Sequence, residues 1–504
     1  MKNNKYALPL ILVILSAILF AACQRKPQGP QETILVRIGD VTISKEEFIS
    51  RAEYTLRPVY CNSDNYIHRK IVLNSLIAEK LYALEAGAKN ELTENEQFQR
   101  YLQGRREQSM RKWQYYADFY QKAPVDTAEI QTQYQLAGRR YRIAYYTLQD
   151  TSVTRFVGEK LAQGKAFEEV FREFGGLETT IPKREVTWDG SEPESLKEAL
   201  YAQPLRKNQV IGPVEVEPGV HTVIKVEGWT ERIAISEPDQ QQRWNDASQR
   251  VRTRKAGKAY QAYIAGLMRG KTLQFDGMTF PRVAQVLGDY YLLGDEAKQA
   301  LMQQRIWNEE DSTRVMPPAA ALDDIADLPF MVMGQQIWTV RDFQKLIQRH
   351  PLVFRKRRIN KGEFAFELRN AIADLVRDLA LTEEAYKKGY DKVNLVARNE
   401  AMWRDNLLAI YQRGNKLREI GLQGMSGKEL YRVIDRELAP YNAELRNKYN
   451  DRIEMDTDLF EQIKLTRIDM FVTEKNAPFP IVVPGFPILT THNRLDYGRK
   501  MEKR

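Results

Sequence analysis

The sequence predicts a mainly α-helical protein with one inserted α+β domain. Three observations carry this prediction. Apolar residues recur at helical spacing through most of the 504 residues, whereas residues 126–232 alternate short strand and helix patterns. In addition, residues 38–48 return as residues 333–343, with a glycine, an N-capping residue, an acid and a phenylalanine at matching positions. Such a recurrence indicates two related helical modules in one chain.

The N-terminus has the pattern of a secretory signal. Residues 1–22 contain lysines, then an uncharged apolar run, and end in two alanines before Cys23. That ending, followed by polar residues, resembles a bacterial lipobox, which implies cleavage before Cys23 and its acylation. The alternative is an ordinary cleaved signal in which this cysteine is incidental. Residues 23–32 are predicted to be a polar tether.

Composition bounds the remaining possibilities. The chain is 43% hydrophobic and 28% charged, which is typical of globular proteins rather than membrane domains. If Cys23 is lipidated, Cys61 has no partner for an intramolecular disulfide. The formal net charge is +9, but basic residues are interspersed with acids, which favours a solvated surface over a nucleic-acid site. The four histidines lack metal-ligand spacing and no phosphate-binding glycine loop occurs, so we expect neither a metal nor a cofactor.

Residues 33–125 are predicted to form the first helical module. A strand and a turn at Gly39 precede a helix capped by Ser44, with Glu47 three residues later in the capping-box pattern. Apolar residues at three- and four-residue spacing over 73–88 then predict a helix with one buried stripe.

Aromatic residues recur at helical spacing near the end of this module. They are Trp113, Tyr116, Phe119 and Tyr120. Spacing of this kind is typical of a helix core. In a protein that binds apolar segments of other polypeptides, its clients, the same spacing also suits a binding surface. These four residues are therefore candidate client-binding residues.

The rest of the chain divides at changes in pattern. A long basic helix follows the insert, and residues 233–280 are predicted to complete the first module. Residues 281–327 contain proline and alanine runs typical of a linker. Residues 328–476 are predicted as the second helical module, opened by the recurrence, and residues 477–504 as an extended, proline-punctuated tail.

These features together resemble the SurA, PrsA and PpiD group of periplasmic foldases. The resemblance rests on the Gly-Asp-x-x-Ile-Ser-x-x-Glu-Phe opening at 39–48, the Leu-Ile-x-x-x-Leu and Glu-Ala helix at 76–86, the α+β insert and the return helix. It covers residues 33 to about 275. It implies two copies of a SurA-like chaperone module that cradles unfolded chains, and one inserted parvulin-type peptidyl-prolyl isomerase domain.

The insert departs from the parvulin pattern at most of the expected active-site positions. Gly219-Val220-His221 is similar to the Gly-aromatic-His ending of parvulins, which makes His221 the counterpart of an active-site histidine; the alternative is a structural histidine in a strand. Arg142 stands where the family has a second histidine, and Glu192 and Leu196 stand where methionine and phenylalanine line the proline pocket. Because isomerisation needs a desolvated pocket that favours the twisted amide, we expect weak or absent activity.

The sequence therefore favours a lipid-anchored envelope chaperone that binds unfolded outer-membrane or secreted polypeptides. Two alternatives stay open: an active peptidyl-prolyl isomerase, and a structural subunit of an outer-membrane assembly machine. The expected location is the periplasmic side of the envelope. Gln24, which follows the cysteine, is not the acidic retention signal of the family, and this favours the outer membrane over the inner one.

Overall fold

A computed structural model describes residues 29–174, 180–303, 319–356, 358–422, 432–465 and 482–502. The predicted signal peptide 1–22 and Cys23 lie outside the described residues. The chain divides into two compact units: the first comprises residues up to Tyr116 and from Leu267 onward, and the second comprises Ala117–Gly266. The fold is mainly helical with small sheets, and its inserted unit is α+β, as predicted. In the part of the chain that the structure describes, no helix combines the length and apolar character needed to cross a membrane.

The α-helices, numbered in chain order, are α1 (Lys45–Glu53), α2 (Tyr66–Ala86), α3 (Glu96–Tyr115), α4 (Thr127–Ala137), α5 (Thr151–Ala162), α6 (Phe167–Phe174), α7 (Glu194–Tyr201), α8 (Glu237–Met268), α9 (Thr279–Tyr291), α10 (Asp295–Gln303), α11 (Val340–Arg349), α12 (Phe364–Lys387), α13 (Asn394–Glu419), α14 (Ala439–Tyr449) and α15 (Thr457–Gln462). The strands are β1 (Ile34–Ile38), β2 (Val41–Ser44), β3 (Arg139–Leu148), β4 (Lys183–Val186), β5 (Val210–Glu217), β6 (Val220–Glu231), β7 (Leu273–Phe275), β8 (Pro329–Met333), β9 (Gln336–Thr339), β10 (Ile453–Met455) and β11 (Arg499–Lys500).

The recurring segments adopt the same local structure, a β-hairpin followed at once by a capped helix. Their turn glycines, Gly39 and Gly334, have positive φ angles of 61° and 62°, which favour glycine. Thr339 and Asp342 form the complete capping box at the start of α11.

Ser44 caps α1 by accepting the backbone N–H of Glu47 at 3.0 Å, which is half of the predicted capping box. The Glu47 carboxylate pairs instead with the buried Lys80 ammonium at 2.8 Å. In the first copy the longer side chain of Glu47 therefore forms a tertiary ion pair, whereas in the second copy the shorter Asp342 completes the capping box.

The core around the first hairpin is completed by residues from the C-terminal part of the chain. β10 pairs antiparallel with β1, with Val36 opposite Met455, and β11 pairs parallel with β10. Ile434, Leu445 and Phe460 are buried in the same cluster as β1, β2 and α2. This differs from the predicted completion by residues 233–280, because a three-residue strand such as β10 carries too little local signal to reveal its partner.

The core around the second hairpin includes the segment that was predicted to be a linker. β7 pairs with β8 in the order β7-β8-β9. Val283 and Leu287 of α9 are buried together with residues of α11 and α12. The described part of 281–327 therefore contributes to a hydrophobic core, and the predicted linker boundaries do not match the structure.

Helix α13 packs along α2 and α3. Leu407 and Leu408 of α13 are buried with Phe98 and Leu102 of α3. Residues assigned from sequence to the second module thus pack against the first, and the first unit is one compact body.

The C-terminal segment is extended from Val482 to Tyr497, as its prolines predicted, and much of it is buried. Phe486, Ile488 and Leu489 are part of the first hairpin's core. We call residues 482–490 the C-terminal arm.

The second unit is built on an antiparallel four-stranded sheet in the order β4-β3-β6-β5. Leu196 and Leu200 of α7 are buried against one face. Val157 of α5 and Phe167 of α6 are buried against the other. The unit also includes most of α8, which is joined to α4 by a 2.7 Å ion pair between Lys255 and Glu129, so it is larger than the predicted insert 126–232.

Candidate functional site

His221 lies near the start of β6, opposite Leu148 of β3 and Glu215 of β5. The histidine is partly exposed, and its Nδ1 has no hydrogen-bond partner among the described residues. Alternation along β6 places it on the same face as Val223. That face packs against α5 and α6, where Tyr146 stacks on Phe167 with ring centroids 4.8 Å apart.

Glu192 and Leu196 lie toward the other face of the sheet. Leu196 is fully buried in the core that contains Ile224 and Val226. Glu192 pairs with Arg184 at 3.0 Å, and Arg184 stacks over the Tyr145 ring at 4.5 Å. Neither side chain therefore shares a pocket with His221.

Arg142 is exposed and lies opposite Gly228 in the β3–β6 ladder. Six residues separate Arg142 from Leu148, the partner of His221, which corresponds to roughly 20 Å along a strand. The four positions named from the parvulin pattern are thus not brought together. The two-residue period of the strands and the register of β3 against β6 decide this, and neither could be read from the spacing of the motifs.

The predicted client-binding aromatics fall into different surroundings. Trp113 is buried in the first unit, with its ring 5.5 Å from that of Tyr116. In the second unit, Phe119 packs against Tyr260 and Tyr263 of α8 at 5.1 and 5.2 Å. Tyr120 lies 5.8 Å from the Arg252 guanidinium. Most of this aromatic surface is engaged in packing within the protein.

A cleft of about 910 Å³ lies within the first unit, at a place that the sequence interpretation did not single out. One wall is α3 and the other is α12. Residues 350–356 and 358–359, between α11 and α12, also line it, as do Leu292, Leu293 and Lys298. The sequence signal that could have located it is the basic run Arg355-Lys356-Arg357-Arg358.

The cleft combines aromatic and basic side chains. Phe354, Phe364 and Tyr291 form an aromatic group, with the Phe354 ring 5.6 Å from Phe364 and 5.1 Å from Tyr291. Arg355 forms two hydrogen bonds of 2.8 Å to Asp374, which also accepts a bond of 2.9 Å from Arg377.

A buried acid fixes the start of the 350–359 segment against α3. The Glu107 carboxylate is inaccessible to solvent; it accepts a 2.7 Å hydrogen bond from Arg349 Nε and lies 2.8 Å from His350 Nε2. Tyr386 Oη donates to the same carboxylate at 2.8 Å. Burial alone would raise the pKa of Glu107, but the adjacent His350 and Arg349 lower it to about 2.

The C-terminal arm is an extended segment held by the helices of the first unit. Most of its apolar side chains are buried, while four of its carbonyl groups accept hydrogen bonds from side chains of the helices. These bonds are Trp403 Nε1 to Val482 O at 3.1 Å, Arg51 Nη2 to Gly485 O at 2.8 Å, Arg413 Nη1 to Ile488 O at 3.4 Å and Asn442 Nδ2 to Leu489 O at 2.8 Å. Bonds to carbonyl groups satisfy the backbone whatever the side chains of the bound segment.

Among the described residues, no group of three or more histidine, cysteine, aspartate or glutamate side chains is placed to hold a metal ion. Cys61 is buried and forms no disulfide with a described residue.

Comparisons with known proteins leave the family open. No protein-family model matches the chain, and no curated protein matches it. Among solved structures, the crystal structure of PrsA from Bacillus subtilis is similar at 16% sequence identity and a TM-score of 0.16, over 45% of this chain and 94% of that one. This TM-score is too low to indicate a shared fold.

Proposed function

We propose that this protein is a cell-envelope chaperone, lipid-anchored at Cys23, that binds unfolded outer-membrane or secreted polypeptides on two SurA-like helical modules. Its α+β unit, which we relate to parvulins, has little or no isomerase activity. The protein works without a cofactor, by reversible capture of exposed apolar segments.

The observation that carries this proposal is the cleft in the first unit. Its volume of about 910 Å³ lies at the upper end of the range for ligand sites. Val353, which lines the cleft together with Phe354 and Phe364, is 74% exposed although it is apolar. A concave surface that offers apolar and polar partners together suits a short stretch of unfolded chain.

The low isomerase activity that we propose is supported by the separation of the parvulin positions. A twisted prolyl amide needs an apolar wall and polar groups converging on one point. His221 and Leu196 lie on opposite faces of the sheet, and Arg142 lies several residues along it.

The chaperone proposal is tested by light scattering. A urea-unfolded β-barrel protein is diluted into buffer with the mature chain at equimolar amount, and an inert protein of similar size is the control. We expect slower and smaller growth of scattering with the mature chain. Scattering equal to the control at a several-fold excess would remove the proposal.

An active isomerase is the second candidate, favoured by the partly exposed His221 with its unpartnered Nδ1. Isomerisation of a proline-containing peptide is followed with the mature chain and with His221→Ala. We expect both rates to equal the uncatalysed rate. A fast rate that His221→Ala abolishes would establish the enzyme instead.

The anchor is tested by replacing Cys23 with serine. Membrane fractions are separated on a density gradient after labelling with a fatty acid. We expect the wild-type chain to carry label in the outer-membrane fraction and Cys23→Ser to lose the label. Label retained by the variant would show that Cys23 is not the site of acylation.

A further inference from the structure

We propose that the cleft between α3 and α12 selects client segments in which carboxylate side chains flank an apolar one. This inference rests on the proposed function, because the ligand is a stretch of client polypeptide. It adds a chemical preference that a general apolar binding surface would not have.

The lining of the cleft is rich in basic side chains. Eight lysine and arginine side chains line the cleft, against two aspartates, Asp374 and Asp378. The basic residues come from separate elements: Arg105 and Arg111 from α3, Lys298 from α10, and Arg355 and Arg358 from the intervening segment. The basic residues are therefore contributed by several elements of the lining, and a concave site concentrates the field of its charges.

Most of the basic residues that line the cleft pair with acidic residues of the protein itself. Asp374 pairs with both Arg355 and Arg377, and Asp378 lies 3.5 Å from Arg111. Arg349 and Lys356 pair with Glu107 and Glu363, which lie outside the lining. Among the described residues, neither Lys298 nor Arg358 has an ion-pair partner. Two cations on different elements are thus left for carboxylates of a ligand.

An apolar group lines the same cleft as these cations. Phe364 is buried, Phe354 and Ile359 are partly exposed, and Val353 is largely exposed at the border. An apolar side chain in contact with this group would lie in the same cleft as these basic groups. A lone small anion would use only the charges, whereas a peptide with alternating acidic and apolar residues uses both features.

The shape favours a peptide over a membrane surface. The cleft is concave and bounded by two helices and a chain segment, so flat arrays of anionic headgroups would meet its rim and not its interior. Glu107 holds the first residues of that segment through Arg349 and His350, which keeps the basic and apolar groups in place before a ligand arrives.

The test uses two labelled peptides of equal length, one with glutamates flanking leucine and phenylalanine, the other with glutamines in place of the glutamates. Binding to the mature chain is measured by fluorescence anisotropy at low and physiological salt. The test variant is Lys298→Glu with Arg358→Glu. The matched control is Lys89→Glu with Lys392→Glu, which changes the charge equally at exposed lysines outside the cleft lining.

We expect the wild-type chain to bind the acidic peptide about tenfold more tightly than the neutral one at low salt. The cleft variant should lose this preference while the control retains it, and salt should weaken only the acidic peptide's binding. Circular dichroism confirms that both variants fold.

Equal affinity for the two peptides, or a preference lost equally in both variants, would overturn the inference. Binding to phosphatidylglycerol vesicles, lost only in the cleft variant and without peptide selectivity, would also overturn it and assign the charge to lipid. A different result would remove the proposed function alone: the wild-type chain would select the acidic peptide but leave client aggregation unchanged. Conversely, suppressed aggregation without selectivity removes only this inference.

Discussion

Arg51 and Glu79 form a bidentate ion pair in which both side chains are inaccessible to solvent, with N···O distances of 2.7 and 2.8 Å. Arg51 also donates to the carbonyl of Gly485 in the C-terminal arm, and Asn406 donates to Glu79 at 2.7 Å. One buried polar contact thus joins α1, α2, α13 and the arm.

Breaking one half of this pair should be costly. Glu79→Leu leaves the Arg51 charge buried without its carboxylate, so we expect a loss of about 3–5 kcal/mol in the free energy of unfolding. The double variant Arg51→Met with Glu79→Leu removes both charges and should recover most of the loss. Urea unfolding followed by circular dichroism measures both. A double variant as unstable as the single one would contradict a cost that arises from the unpaired charge.

The C-terminal arm should be a structural part of the first unit. Phe486 is buried in the first hairpin's core, so Phe486→Ala should lower the free energy of unfolding by about 3–5 kcal/mol through lost contacts and a cavity. Arg494→Ala, at an exposed position beyond the arm, is the control and should change it by less than about 0.5 kcal/mol. Equal stability of the two variants would mean that the arm is dispensable.

The close approach of α3 to α11 depends on Gly104. A Cβ there would lie 1.6 Å from the carbonyl oxygen of Arg349, so the helices must separate to accept Ala. We expect Gly104→Ala to cost about 1–3 kcal/mol in urea unfolding. Gly414→Ala in α13, where a Cβ meets nothing within 4 Å, should instead stabilise by up to about 1 kcal/mol. Equal changes in the free energy of unfolding of the two variants would contradict a close contact between Gly104 and Arg349.

Acid should destabilise the first unit through Glu107. Its folded pKa of about 2 lies below the ordinary value of 4.5, so its contribution is complete above pH 4.5 and is lost as the pH falls through 2. A shift of this size corresponds to on the order of 3 kcal/mol. Burial also lowers the pKa of His350, so protonation of the unfolded chain begins to favour unfolding below about pH 6.5.

The check is urea unfolding between pH 7 and pH 3. Glu107→Gln should be less stable than wild type at pH 7 and should lose less stability on acidification. Glu96→Gln, on the same helix but exposed, should follow the wild-type profile. If the stability of Glu107→Gln depended on pH in the same way as that of wild type, Glu107 would not be responsible for the loss of stability in acid.

The sequence predicted those features whose signals are local. Gly39 with Ser44, and Gly334 with Thr339, mark both hairpin–helix segments because turn and capping chemistry depend on neighbouring residues. The pairing of β1 with β10 could not be predicted, since β10 lies more than 400 residues away and is three residues long. The cleft was missed for the same reason: Arg105 and Phe364 meet only through the tertiary fold. His221 and Leu196 were assigned to one pocket because motif order does not encode which face of a sheet a residue occupies.

Client polypeptides should bind in the cleft of the first unit. Photo-crosslinking tests this with a benzoylphenylalanine placed at Val353, which is 74% exposed at the cleft, or at Val59, which is 84% exposed outside its lining. With an unfolded β-barrel client, we expect a crosslinked product from position 353 that unlabelled client competes away, and little from position 59. Equal yields from the two positions, or none from position 353, would show that clients do not bind in the cleft.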